Sequence, residues 1–161
     1  MYPDDVKYQI FPEDKWDDLY YTCCVIESIG RRTKNKRLDV FLALGMDNIY
    51  HIFEYADVMH CEPMVNIENE YIEKCNITEG MFDNVADCEY DVPNYHSIAK
   101  KYTRLIIMIM ERKELCLYDA MLSLLQSFVT DRLCDYNCSM YYVSPEEVYF
   151  YYDKGVVPLG I

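Results

Sequence analysis

Between Asn94 and Cys134 the apolar residues recur three and four positions apart, and no other stretch constrains the fold as strongly. Ile98, Tyr102, Leu105, Ile106 and Ile109 make one stripe, while Lys100, Lys101, Arg104, Glu111 and Arg112 fall mostly off it. Leu117, Met121, Leu124, Leu125 and Phe128 make a second stripe, which Val129 extends. Globular helices average only about 10–14 residues, so a break is expected between Glu114 and Tyr118, with Lys113 or Asp119 near the junction. Two such helices belong at the centre of a core. The fold class that follows is mainly α: one compact helical domain spanning residues 1–161. Short strands near the N-terminus and in the C-terminal tail stay open as options.

Other segments carry weaker signals. Over Glu13–Ile29 the residues Trp16, Leu19, Tyr20, Cys23, Ile26 and Ile29 share one helical face. Pro12 suits the first helical position, and Gly30 suits a left-handed C-cap. The β-branched Thr22, Val25 and Ile26 leave a strand over Tyr20–Ser28 as the competing assignment. Leu38–Leu44 reads as a helix or a buried strand closed by Gly45. Asp47 is placed to N-cap a helix carrying Ile49, Ile52, Phe53, Ala56 and Met59, which Glu62-Pro63 ends. From Met64 to Pro93 the chain is acidic and poorly periodic, with a helix possible over Glu68–Cys75 and a break at Gly80. Ser144-Pro145-Glu146-Glu147 is a capping box that starts a tyrosine-rich helix running to about Gly155. An apolar tail, Val156–Ile161, is expected to pack back as an extended segment.

Composition supports one folded unit. The chain is 52% hydrophobic and 27% charged, with only 5 Gly and 6 Pro, so flexible linkers are scarce. A domain of this length buries roughly 70% of its unfolded surface and needs no covalent staples. The 17 Tyr, against 6 Phe and 1 Trp, are spread along the chain. Substitution for Phe at the core margin explains them most simply, and a binding surface is the sharper reading. A net charge of −13 repels phosphate backbones and anionic lipid, so neither nucleic acid nor a membrane is expected as a partner. The N-terminal residues have neither the basic nor the apolar region of a signal peptide. An intracellular location, cytoplasm or nucleus, is therefore expected, with the 8 cysteines reduced.

Catalytic and metal signatures are sparse. There is no C-x-x-C; Cys134 with Cys138, and His60 with Cys61, are the nearest approach to paired ligands. The chain has no G-x-S-x-G elbow, no phosphate-cradling loop and no dinucleotide fingerprint. No catalytic residue, metal site or cofactor is expected from these patterns. One local feature runs against the acidic background: Arg31, Arg32, Lys34, Lys36 and Arg37 crowd into seven positions. A solvated loop after a helix C-terminus accounts for it, where cations complement the helix dipole. A docking patch for an acidic partner is the functional alternative. The Met- and Leu-rich stripe from Ile106 to Phe128 is either filled core or an open groove for a partner's helix.

The whole chain, rich in Tyr, Ile, Asp and Asn, resembles a chordopoxvirus group of small early proteins with no assigned activity. The segments NKRLDVFLALGMDNIYHIFEY and NYHSIAKKYTRLIIMIMERKELCLYDAMLSLLQSFVTDRLCD carry the likeness. LCLYDAMLSLLQSFVTDRLCD, from Leu115 to Asp135, is also similar to the central helix of poxviral Bcl-2-like proteins. Those are all-helical blockers of cell death or innate signalling; the Gly-Arg pair of their cell-death-blocking members is missing from this segment. The resemblance implies an accessory viral protein that works by binding a protein partner, host or viral. Its alternatives are a virion or transcription-assembly subunit and a cysteine- or metal-dependent enzyme.

Overall fold

In the computed structural model, which describes residues 6–156, the strongest sequence segment forms three helices whose apolar stripes lie in the core. Eight helices are present among the described residues: α1 (Trp16–Thr33), α2 (Arg37–Glu54), α3 (Ala56–Met59), α4 (Met64–Lys74), α5 (Tyr95–Lys113), α6 (Leu117–Leu125), α7 (Phe128–Cys134) and α8 (Pro145–Lys154). One 3-10 turn, Glu13–Lys15, leads into α1, and another, Ser139–Tyr142, precedes α8. No strand occurs among the described residues. The fold is mainly α, as expected. The expected extended tail lies beyond residue 156, outside the described residues apart from Val156 itself.

Helix α5 packs along α1 and also meets α6 and α8, while α2 packs on α1 and α6. Ile98, Leu105, Ile109 and Met110 of α5 are fully buried, as are Leu124 of α6 and Leu19 and Ile29 of α1. Ile106, Met108, Met121 and Leu125 join the same core, so the Met- and Leu-rich stripe is filled core and not an open groove.

Local chemistry sets the helix boundaries. The side chain of Asn94 accepts from the His96 amide to start α5, and Glu114 in the left-handed region ends it at the expected break. Ser144 accepts from the Glu147 amide with Pro145 at the first turn, and Gly155 closes α8 at a φ of 65°. A second break, at Gln126–Ser127, divides α6 from α7, so the Leu115–Asp135 segment forms two short helices.

Several expectations are corrected. The Tyr20–Ser28 and Leu38–Leu44 segments are helical, and the strand alternatives do not occur. Burial against the core outweighs the β-preference of Thr22, Val25 and Ile26, and the Thr22 hydroxyl is satisfied by donating to the Asp18 carbonyl at 2.8 Å, one helical turn back. Gly30 does not cap α1; the helix continues to Thr33 and ends on Lys34, at a φ of 58°. The break before the second run of α2 falls at Gly45 (φ 74°, ψ 170°), which places Asp47 inside that run's first turn. Helix α4 begins at Met64, after Pro63, earlier than the Glu68 expected. The irregular stretch is thereby confined to residues 75–94.

Candidate partner-binding site

The basic run does not form a patch. Helix α1 turns Glu27 into the core, and the run is pulled apart to meet it. Arg37, with its side chain fully buried, places Nη2 2.6 Å from Glu27 Oε2, and its Nε donates to the same oxygen at 3.0 Å. Its remaining donors reach the Asn35 carbonyl at 2.8 Å and Asn84 Oδ1 at 3.1 Å. Gly30 makes this path possible, because a Cβ there would stand 2.4 Å from Arg37 Cδ. Arg31 Nε lies 3.1 Å from Glu27 Oε2, and its Nη2 donates to the Pro93 carbonyl at 2.7 Å. Tyr136 completes the cluster. Its hydroxyl donates to Glu27 Oε2 at 3.0 Å and accepts from Arg31 Nη2 at 2.9 Å.

Burial alone would push the Glu27 carboxyl up, but the charge and hydrogen bonds of Arg37, helped by Arg31 and Tyr136, hold it below the ordinary glutamate range. Glu27 Oε1 is buried without a partner among the described residues, so the stabilisation rests on Oε2. Both Arg31 and Arg37 are therefore drawn to the buried Glu27, with the Arg37 side chain wholly buried and that of Arg31 18% exposed. Arg32 pairs with Glu68 at 3.6 Å and Lys34 with Glu79 at 3.0 Å, both half-exposed, and Lys36 is exposed. Three cations, two of them paired, are a weak attraction for an acidic partner.

The thiols and imidazoles are also dispersed. Cys24 Sγ lies 3.8 Å from His96 Nδ1, which contacts the Tyr20 hydroxyl at 2.6 Å. Burial, reinforced by the Glu27 charge, pushes the Cys24 thiol up to about 11, so it stays protonated at neutral pH. Cys134, 3.0 Å from the Tyr102 hydroxyl, is likewise pushed by burial to about 11. All eight cysteines are unbridged. His60 and Cys61 end α3, remote in sequence from Cys134 and Cys138. Among the described residues no three His, Cys, Asp or Glu side chains converge as metal ligands would.

What the sequence reading missed lies between two irregular stretches. Asn84, buried, donates to the Cys134 carbonyl at 3.0 Å and fastens the first stretch to the end of α7. The Asn137 side chain then bridges the two: its Oδ1 accepts from the Glu89 amide at 2.7 Å and its Nδ2 donates to the Asp87 carbonyl at 2.9 Å. Cys88 Sγ contacts the Tyr90 carbonyl at 3.2 Å. A surface groove of about 750 Å³ opens beside this seam, between residues 89–91 and 136–142. Tyr136 lines it and is anchored to the buried charge cluster. Tyr90 and Tyr142, 69% and 76% exposed, line it as well, along with the acidic residues Glu89 and Asp91. Neither carboxylate is ion-paired among the described residues, and no Lys or Arg lines the groove.

A trace of this site is visible in the sequence: DCEYD at 87–91 and YNCSMYY at 136–142 both mix Tyr with Cys and Asp or Asn outside any strong helix pattern. Nothing in either segment announces that Asn137 joins them. No helix among the described residues is long and apolar enough to cross a membrane. No protein-family model, curated protein or solved structure matches the chain.

Proposed function

We propose that this protein acts without catalysis, as an accessory viral protein that binds a protein partner in host cell-death or innate-immune signalling. One observation carries the binding part of this reading. Two tyrosines that face solvent by more than two thirds line a groove whose floor is tied to the core. Aromatic rings held out over a rigid concavity are what partner-binding surfaces favour, since a Tyr ring buries much area at small entropic cost. Burial keeps the Cys24 and Cys134 thiols protonated, which argues against either as a nucleophile. The viral part rests on the resemblance of the whole chain to the poxviral early-protein group, and the signalling part on the likeness of Leu115–Asp135 to the central helix of poxviral Bcl-2-like proteins.

The test is affinity purification of the tagged full chain from host cells, with mass spectrometry of the captured proteins. Enrichment of a cell-death or immune adaptor that binds the purified protein directly is the expected result. Recovery of virion or polymerase subunits alone would move the protein to the assembly class. Turnover of a small molecule with no direct protein partner would overturn the reading.

A further inference from the structure

The geometry points to an arginine-bearing, extended segment of a protein as the occupant of the groove between residues 89–91 and 136–142, an inference that rests on the protein-binding reading above. The charge is right for a cation. Glu89 and Asp91 line the groove without ion pairs among the described residues, no basic side chain lines it, and the chain carries −13 overall. An anionic ligand, whether phosphate, acidic peptide or nucleic acid, would meet repulsion from Glu89 and Asp91 with no basic side chain in the lining to offset it.

The rings narrow the choice further. A guanidinium is planar and weakly hydrated, so it stacks on tyrosine faces while forking to a carboxylate, whereas an ammonium does only part of this. The molecule already uses this pairing on the core side of the groove: the Arg31 guanidinium sits 5.1 Å from the centroid of the Tyr136 ring. Tyr90 and Tyr142 offer two further rings on the solvent side, beside the two free carboxylates.

The floor is pre-ordered, which favours an extended segment laid into an existing groove. Asn137 ties it to residues 87 and 89, and Tyr136 ties it to Glu27. Little ordering entropy is left to be lost on binding.

The test uses the full chain and a fluorescein-labelled peptide, Gly-Arg-Ser-Arg-Gly-Arg-Ser-Gly, followed by fluorescence anisotropy at low and physiological salt, with amide chemical shifts mapping the contact. Binding that weakens about tenfold or more with Gln in place of each Arg is expected, as is a similar loss in Tyr90→Ala/Tyr142→Ala. Glu89→Gln/Asp91→Asn, which keeps the shape, should reproduce the loss, with shifts confined to residues 87–91 and 136–142. Asp14→Asn/Asp17→Asn removes the same charge from the 3-10 turn and the first turn of α1, Asp17 lying roughly 20 Å along the helix from Arg31 at 1.5 Å per residue, and should leave binding unchanged. Three results would overturn the inference: no binding by the native chain, an equal loss in the distant variant, or displacement of the peptide by spermine at the same charge concentration. The authentic partner separates the two readings. If it binds Tyr90→Ala/Tyr142→Ala as tightly as the native chain, the groove is not its site and the protein-binding reading stands. If no direct partner exists at all, that reading fails with it.

Discussion

Different forces hold residues 95–134 and the two stretches that flank the groove, 75–94 and 135–143. In α5 and α6 apolar side chains stack along helical faces, with Leu105, Ile109, Ala120 and Leu124 fully buried. The backbone there satisfies itself, so order spreads over the whole element and no single polar contact decides it. The two stretches bury far fewer side chains and depend on a handful of polar ones: Asn84, Asn137, Tyr136 and, behind them, Glu27 with its two arginines. A region built in the first way yields gradually to truncation, in proportion to volume lost. One built in the second way should give at particular atoms and at particular pH values.

The largest effect is expected at Glu27. Replacing it with Ala strands Arg37, which has no exposed side-chain surface, next to Arg31 in the core. Breaking a buried pair by removing one partner costs about 3–5 kcal/mol, read by urea denaturation. A loss below about 1 kcal/mol would mean that Asn84 and the Asn35 carbonyl satisfy Arg37 unaided. Glu27→Gln adds the pH dependence. The folded-state carboxyl is held low, so the ionised form stabilises the native protein fully above the ordinary glutamate value of about 4.3. That contribution is lost as pH falls through the folded-state value. The stability gap between native protein and Glu27→Gln should therefore be constant above about pH 5.5 and shrink on acidification. A gap that widens in acid would reverse the sign assigned here.

Leu124→Ala probes the other region. Leu124 is fully buried between helices, and the expected cost is about 2–5 kcal/mol, graded by how far the cavity collapses. Unlike the Glu27 variant, it should show no pH dependence of its own between pH 4 and 8 on the scale of a side-chain titration. Appearance of such a dependence would tie the apolar core to the charge cluster more closely than their chemistry suggests.

The same difference governs what could be read in advance. Local signals served well wherever structure is made locally. Ser144-Pro145 with Glu147, Asn94, Gly155 and the break at Glu114 all act within one helical turn. Gly30 was misread because its role is non-local: it clears the path of Arg37 to Glu27 and ends nothing. The break at Gln126–Ser127 escaped because Leu124, Leu125, Phe128 and Val129 continue the apolar spacing across it. Of the five basic residues, Arg31 stands one helical turn from Glu27, a pairing that spacing suggests, but nothing in the spacing reveals that Arg37, beyond the end of α1, is drawn inside by the same glutamate. The groove was the least legible feature. It exists because Asn137 reaches residues 87 and 89 across the chain, and a lone asparagine carries no mark of its eventual partner.

Asn137→Ala therefore tests the seam itself. It removes two side-chain-to-backbone hydrogen bonds near the surface, where water replaces part of the loss, so the global cost should be about 1 kcal/mol. Its diagnostic reading is amide hydrogen exchange. Protection should fall at residues 84–91 and 135–142 while the α5 amides stay as slow as the small global change allows. Equal acceleration in α5 would mean that the two regions open as one unit.

The smallest effect is predicted where the partner-binding reading places the most weight. Tyr90 and Tyr142 expose 69% and 76% of their surface, so truncating either to Ala should change stability by no more than about 0.5 kcal/mol. Such indifference is informative because Tyr136, in the same groove, should behave in the opposite way. Its hydroxyl supplies Glu27 with a buried hydrogen bond, and Tyr136→Phe removes that donor while keeping the ring under Arg31. A loss of about 1–3 kcal/mol is expected for it. If all three variants proved neutral, Tyr136 would be no anchor and the groove floor no more fixed than its rim. If Tyr90 or Tyr142 cost as much as Tyr136, those rings would belong to the folded core's own packing, and their exposure would no longer argue for a partner.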